Sequence, residues 1–240
     1  MRQVLISLSS FGAAEVRRHG QLWFTRLAQQ AGADGVEVRG ELLVDAAREL
    51  PEIAQAVRSW GGQLVYSSPE PLWNADGSLD FKAVQRAVDA ARLLGAPRLK
   101  MSIGDFRSPA AADFRRLAET VAGLELVIEN DQTASAGTVD ALQAFFRAAD
   151  DARTPLLMTF DMGNWHWTGE DPLDAARAFS ARVGYVHCKG VQRQPGRWVA
   201  VPLADSAAPW RALLRAMPRA LPWVIEYPLD GHDLLDRIRN

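Results

Sequence analysis

The chain has 240 residues, 48% hydrophobic and 23% charged, with a formal net charge of −2 and a pI near 6.1. Those values suit a globular fold with a sizeable core, built as one large domain or two small ones. No run of Lys or Arg forms a basic stripe, which argues against a nucleic-acid partner, and the single cysteine, Cys188, excludes an internal disulfide and fits a reducing compartment.

The N-terminal stretch MRQVLISLSSFGAAEVRRHG has a short apolar run broken by serines, and charge returns at Glu15, Arg17 and Arg18. It predicts a first strand and the start of a helix, not a targeting segment. No run of about eighteen apolar residues follows, so the expectation is a cytoplasmic protein without membrane contact. Strand candidates then recur along the chain: VLISLS (4–9), GVEVR (35–39), QLVYSS (63–68), RLKMSI (98–103), ELVIE (125–129), LLMTFD (156–161), GYVHCK (184–189) and WVIEY (223–227). Amphipathic helical patterns lie between them, including 79–95, 138–152 and 171–184. In the last of these Asp171 reads as the N-cap and Pro172 as the first helical residue. The closing segment GHDLLDRIRN predicts a short helix, which leaves barrel surface for a second copy of the chain.

Eight strand–helix units in 240 residues have the size of a single (β/α)8 TIM barrel spanning 1–240. The strands are near-continuous apolar runs, as expected of strands covered on both faces. A doubly wound open sheet would place a Gly-rich phosphate loop after the first strand. SLSSFGAAE does not supply one.

Chemistry in such barrels sits at the C-terminal ends of the strands. There the sequence offers Glu129, followed by Asn130 and Asp131; Asp161 within FDMGNWHW; His187 and Lys189; Glu226; Glu37 and Arg39; and Lys100. Side chains alternate across a strand. If His187 points inward, Lys189 does too, and Cys188 faces the helices. The same parity turns Ile128, Phe160 and Ile225 outward, and Glu129, Asp161 and Glu226 inward. Burying ionised carboxylates is expensive unless they are paired or hold a metal. Three carboxylates and an imidazole make a mainly hard donor set that suits Mn²⁺, Mg²⁺ or Co²⁺. Each residue alone has a plainer reading. A strand-end Glu is more often ion-paired, His187 could be a hydrogen-bonded core histidine, and Asp161 could cap the next segment. Their joint placement on four consecutive strands favours a metal site.

GADGVEVRG (32–40), VIEN (127–130), FDMGN (160–164) with GEDP (169–172), VHCKG (186–190) and VIEY (224–227) resemble the xylose-isomerase-like TIM barrels, specifically their sugar-phosphate isomerase/epimerase branch. The resemblance implies one divalent metal on Glu129, Asp161, His187 and Glu226, with Mn²⁺ favoured and Mg²⁺, Co²⁺ or Zn²⁺ as alternatives. It also implies proton transfer beside the carbonyl of a ketose or related keto-sugar, phosphorylated or not, through an enediolate, with Glu129 and Glu226 on either side of the reacting carbon. A metal-dependent dehydratase on the same scaffold is the alternative. Two departures from relatives stand out: Gly190 occupies a position where many carry Asp, and Asn164 one where several ketose epimerases carry His, with His166 two residues later.

Lys189, His166, Asn164, Trp73, Glu37 and Lys100 are the substrate-binding candidates. Each also has a structural reading. Lys189 could pair with Glu226 or Asp161, Glu37 with Arg39, and Lys100 could serve the barrel. Trp73 and the Trp165–His166–Trp167 run could pack on the rim. A repair endonuclease of this barrel type would need several metals and many histidines, whereas the chain has four: His19, His166, His187 and His232.

Overall fold

The computed structural model describes residues 2–107 and 111–229. Its centre is a closed barrel of eight strands, all parallel. In chain order these are β1 (Val4–Ser7), β2 (Gly35–Arg39), β3 (Gln63–Ser67), β4 (Arg98–Ser102), β5 (Glu125–Glu129), β6 (Leu157–Asp161), β7 (Val183–Cys188) and, after an inserted hairpin, β10 (Trp223–Ile225). The hairpin is β8 (Gly190–Gln194) paired antiparallel with β9 (Arg197–Val201). The barrel closes through β10, which lies between β1 and β7.

Around it run α1 (Ala13–His19), α2 (Gln21–Gln30), α3 (Ala46–Trp60), α4 (Phe81–Leu94), α5 (Ala111–Thr120), α6 (Val139–Asp151), α7 (Trp165–Thr168), α8 (Pro172–Phe179) and α9 (Trp210–Ala216). The longer helices start where a side chain satisfies their free N–H groups. Asp45 caps α3, Asp80 α4 and Thr138 α6, and Asp171 accepts from Leu173 and Asp174 at the start of α8, with Pro172 in the first turn. The left-handed Gly61 and Gly95 end α3 and α4.

All eight strand candidates are barrel strands, with different ends. The first stops at Ser7 and turns through a short 3-10 segment at Leu8–Phe11. The last stops at Ile225, so Glu226 lies one residue past it, its N–H donating to the Cys188 carbonyl. The pattern at 171–184 yields α-helix only to Phe179; a 3-10 turn at Ser180–Arg182 then leads into β7, with the Arg182 guanidinium tied to the Leu156 carbonyl and to Asp150. The expected helix at 231–240 lies outside the described residues.

Two apolar regions result. Most of the core lies between barrel and helices and includes Ile128, Phe160 and Cys188, with Ile225 packed against it, which are the outward residues of the alternation. A small plug inside the barrel is made by Leu5, Val65, Tyr185 and Val224. Each plug residue precedes by two positions an inward polar residue on its own strand or just past it: Ser7, Ser67, His187 and Glu226. The barrel interior is therefore apolar below and charged at the C-terminal mouth.

Cys188 is 3% exposed, and burial pushes its thiol up to about 12. A thiol so placed is inert. Ellman's reagent at pH 8 should leave the folded protein unmodified and titrate one thiol in denaturant; fast reaction of the folded protein would contradict the outward, sealed placement.

Candidate metal centre

The site starts from strand register. β7 is paired so that Asp161 on β6 stands beside His187 and Val224 on β10 stands on its other side. Glu129 ends β5, and Glu226 follows β10. The result is a cluster in which donor atoms of Glu129, Asp161, His187 and Glu226 all lie within 4.8 Å of one another. His187 Nδ1 faces all three carboxylates, at 2.6 Å from Glu226 Oε2, 2.9 Å from Glu129 Oε1 and 3.8 Å from Asp161 Oδ2. Its other nitrogen, Nε2, stands 2.9 Å from Glu37 Oε2, a residue on the far side of the barrel.

Each of the three carboxylates also has its own cation. Lys100 Nζ is 2.6 Å from Glu129 Oε2, Lys189 Nζ is 2.7 Å from Asp161 Oδ2, and an Arg39 amino group is 2.5 Å from Glu226 Oε1. Lys100 and Arg39 reach Glu37 as well, at 3.5 and 3.4 Å. Burial alone would raise the acid pKa values. His187 and Lys100 overcome it for Glu37, Lys100 and His187 for Glu129, and Lys189, His187 and Arg39 for Glu226, so all three are held below the usual carboxylate range. Burial would likewise lower His187, but Glu37 and Glu226 hold it well above the usual imidazole value. Lys189 is raised too, its burial outweighed by Asp161 and Glu226.

The backbone around Asp161 is held on several sides. Asn130 accepts from the Asp161 N–H at 2.9 Å and donates to its carbonyl at 3.0 Å. Asp161 Oδ1 accepts the N–H groups of Gly163 (2.8 Å) and Asn164 (2.9 Å). Asn164 donates to the Asn130 carbonyl and accepts from Gln132 and Lys189. The motifs VIEN and FDMGN thus lock to each other. Gly163 is required by close approach: a Cβ there would stand 2.9 Å from the Lys189 stem. Asp161 Oδ2 is left without a hydrogen bond, since Lys189 approaches it off the line of one. A fully buried carboxylate oxygen with an ion-pair partner only, facing an imidazole nitrogen and two further carboxylates, is the donor chemistry of a divalent cation.

A cavity of about 290 Å³ opens beside the cluster, lined by Arg39, Lys189 and Glu226 together with Ser9, Ser10 and Ala200. The remaining expected site residues divide. Glu37 and Lys100 are sealed inside the barrel, 0% and 1% exposed. Asn164 has its side chain committed to the backbone clamp. His166 sits on α7 with its ring 4.7 Å from that of Trp198 on β9, and burial lowers its pKa. Trp73 does not reach the mouth. Its ring is fully buried, edge-on to Phe106 at 5.3 Å and Phe145 at 5.5 Å, where a large apolar surface is best removed from water.

Three features were missed from the sequence. The β8–β9 hairpin, which contributes Ala200 and Trp198, is signalled by Pro195–Gly196 between alternating residues, with Gly196 at φ 78°. Gln21 on α2 pairs with both the N–H and carbonyl of Arg39, each at 2.8 Å, and nothing local announces it. Ser7 lies 3.4 Å from Glu37. His19, on α1, is near Glu15 and Trp23, away from the cluster. Among the described residues no helix is long and apolar enough to cross a membrane.

The fold is shared with solved structures at low identity. A xylose isomerase domain-containing protein from Salmonella typhimurium LT2 superposes with a TM-score of 0.74 at 15% identity, covering 99% of this chain and 93% of that one. D-allulose 3-epimerase from Methylomonas sp. gives 0.67 at 18%, covering 99% and 94%. The probable 3-DHS dehydratase AsbF from Bacillus anthracis gives 0.69 at 14%, covering 99% and 96%. No curated protein sequence matches the chain. The model of one sequence family, the xylose isomerase-like TIM barrels, matches residues 25–238, and the chain belongs to that family.

Proposed function

We propose that the chain is a divalent-metal-dependent isomerase or epimerase acting on a ketose or related keto-sugar. The observation that supports this most is a division within the donor cluster. The side chains of Asp161 and His187 are sealed from solvent, while Glu129 and Glu226 keep 15% and 10% of theirs accessible. Two donors only hold, and two can also be reached by a substrate at the mouth.

Glu129, Asp161, His187 and Glu226 are the residues that would hold the ion, with Mn²⁺ the expected metal. Bound there, it supplies a Lewis acid next to a carbonyl oxygen. Glu129 takes a proton from the carbon beside the carbonyl, and Glu226 returns one. Return to the opposite face of the same carbon is epimerisation; return to the neighbouring carbon is isomerisation. Lys100 and Arg39 keep the two carboxylates ionised and able to accept a proton. The same cations make them weaker bases. Position is the first requirement of a general base and pKa the second, and the cluster supplies position.

Glu37 is a positioning residue. As the acceptor for His187 Nε2–H it leaves Nδ1 facing the carboxylates, the arrangement in which a carboxylate behind a ligating imidazole fixes its tautomer. Lys189 and Arg39 line the cavity where the sugar is proposed to sit. A dehydratase would begin with the same proton removal and end by expelling a hydroxyl. The fold likeness to the probable 3-DHS dehydratase is the observation in its favour.

Two outcomes are expected. Glu37→Gln keeps the shape and removes the charge, so Mn²⁺ affinity, read by calorimetry on chelator-stripped protein, should fall about 10–100-fold. An unchanged affinity at unchanged circular dichroism would remove Glu37 from that role. In deuterated water, a panel of ketoses should include one that gains deuterium beside its carbonyl only when Mn²⁺ is present, with no loss of water. Glu226→Gln should slow this about 10²–10⁴-fold. No exchange from any ketose would refute the isomerase or epimerase reading, and exchange accompanied by dehydration would select its rival.

A further inference from the structure

Lys189 is the cation whose partners change most if the cluster takes a metal. Its ammonium is held by Asp161 Oδ2 at 2.7 Å, Asn164 Oδ1 at 3.0 Å and Glu226 Oε2 at 3.2 Å. Two of those oxygens are the ones turned toward His187 Nδ1. An ion held by the donor set beside the imidazole would share them with Lys189. Lys100 and Arg39 are differently placed. They pair with Glu129 Oε2 and Glu226 Oε1, the opposite oxygens of their carboxylates from those facing the imidazole, and each has Glu37 as well.

A divalent ion drawing on Asp161 Oδ2 and Glu226 Oε2 would leave Lys189 with one undivided partner, the amide oxygen of Asn164. That oxygen is neutral and already accepts from Gln132. Lys189 is 9% exposed, so water reaches it only from the cavity side and offers no charge in place of what is lost. A cation in such a place needs a counter-charge. The stem cannot swing toward the loop after β6, because it passes against Gly163. Its open side is the cavity it lines with Arg39, Ser9 and Ser10.

We propose that the substrate of this site carries an anionic group, a carboxylate or a phosphate, and that Lys189 holds that group when the metal is bound. This rests on the metal-dependent reading above and narrows its substrate class from ketoses in general to acidic ones. Arg39, which lines the same cavity and is fixed by Glu226 and Glu41, adds a second positive charge. A neutral sugar offers Lys189 a hydroxyl dipole and no charge, so it leaves the ammonium uncompensated.

The test uses the intact chain, stripped with chelator and titrated first with Mn²⁺. The Mn²⁺-saturated and metal-free forms are then titrated by calorimetry with D-fructose, D-gluconate and D-fructose 6-phosphate. At least one of the two anions should bind the Mn²⁺ form about tenfold or more tighter than D-fructose, with no such gap in the metal-free form. The tighter anion identifies the group as carboxylate or phosphate. Lys189→Met should close the gap, and Lys189→Arg, which keeps the charge if the Met variant does not fold, should preserve it. Equal binding of D-fructose and the anions by the Mn²⁺ form would overturn the proposal, as would a gap that survives Lys189→Met. Failure to bind Mn²⁺ at all would appear in the first titration and would overturn instead the reading on which the proposal rests.

Discussion

Carboxylates removed from water are the constraint around which this barrel is organised. Four of them, Glu37, Glu129, Asp161 and Glu226, converge on His187 inside one ring of strands. Taking an ion out of water costs several kcal/mol even after the protein relaxes. The chain meets that cost by giving each carboxylate a cation from a different strand end or neighbouring loop. Lys100 comes from β4, Arg39 from β2, and Lys189 from the residue after β7. Because the partners belong to separate strands, the ion pairs also tie the mouth together. The apolar plug of Leu5, Val65, Tyr185 and Val224 floors this arrangement and keeps water from the N-terminal side.

Charge pairing alone would not set the geometry, since ion pairs tolerate wide angles. The Asn130, Asp161 and Asn164 clamp supplies direction. Its hydrogen bonds run between backbone and short side chains, which have few rotamers to lose. Asp161 Oδ1 is fully used by two N–H groups, which turns Oδ2 toward the cluster. Gln21 does a comparable service for Arg39, fixing its backbone from the neighbouring helix. Donor atoms held on strand ends and braced this way have the precision that a functional site requires.

Much of this was legible in the sequence, for a physical reason. The period of two along a strand sorts residues inward and outward without reference to any partner, so Glu129, Asp161, His187 and Lys189 could be assigned to one side from spacing alone. Glu226 follows the same parity although its strand ends one residue earlier. The pairing of those residues was not legible, because it depends on register between strands far apart in the chain. Glu37 reaches His187 across 150 residues, and Lys100 reaches Glu129 across 29. Trp73 shows the opposite limit. An aromatic residue after a strand has the same local pattern whether it lines a mouth or fills a core, and here Phe106, Phe114 and Phe145 take it into the core. The hairpin has only a weak local signal, since its two strands are short and a single Pro–Gly turn joins them within an otherwise regular strand–helix alternation.

The same ion pairs bear on how a metal would enter. In small metal-dependent domains the unfilled ligands lack compensation, and binding energy becomes folding energy. Here Lys100, Arg39 and Lys189 offset the carboxylates, and His187, set between Glu37, Glu129 and Glu226, adds to that compensation. These pairs hold the donor oxygens of Glu129, Asp161 and Glu226 close together at the mouth. On the metal-dependent reading proposed above, that bracing would carry a cost in affinity, because an ion would share oxygens that Lys189 already holds. A site of this kind trades tightness of grip for fixed geometry. For chemistry that depends on where charge develops, fixed geometry is the more valuable of the two.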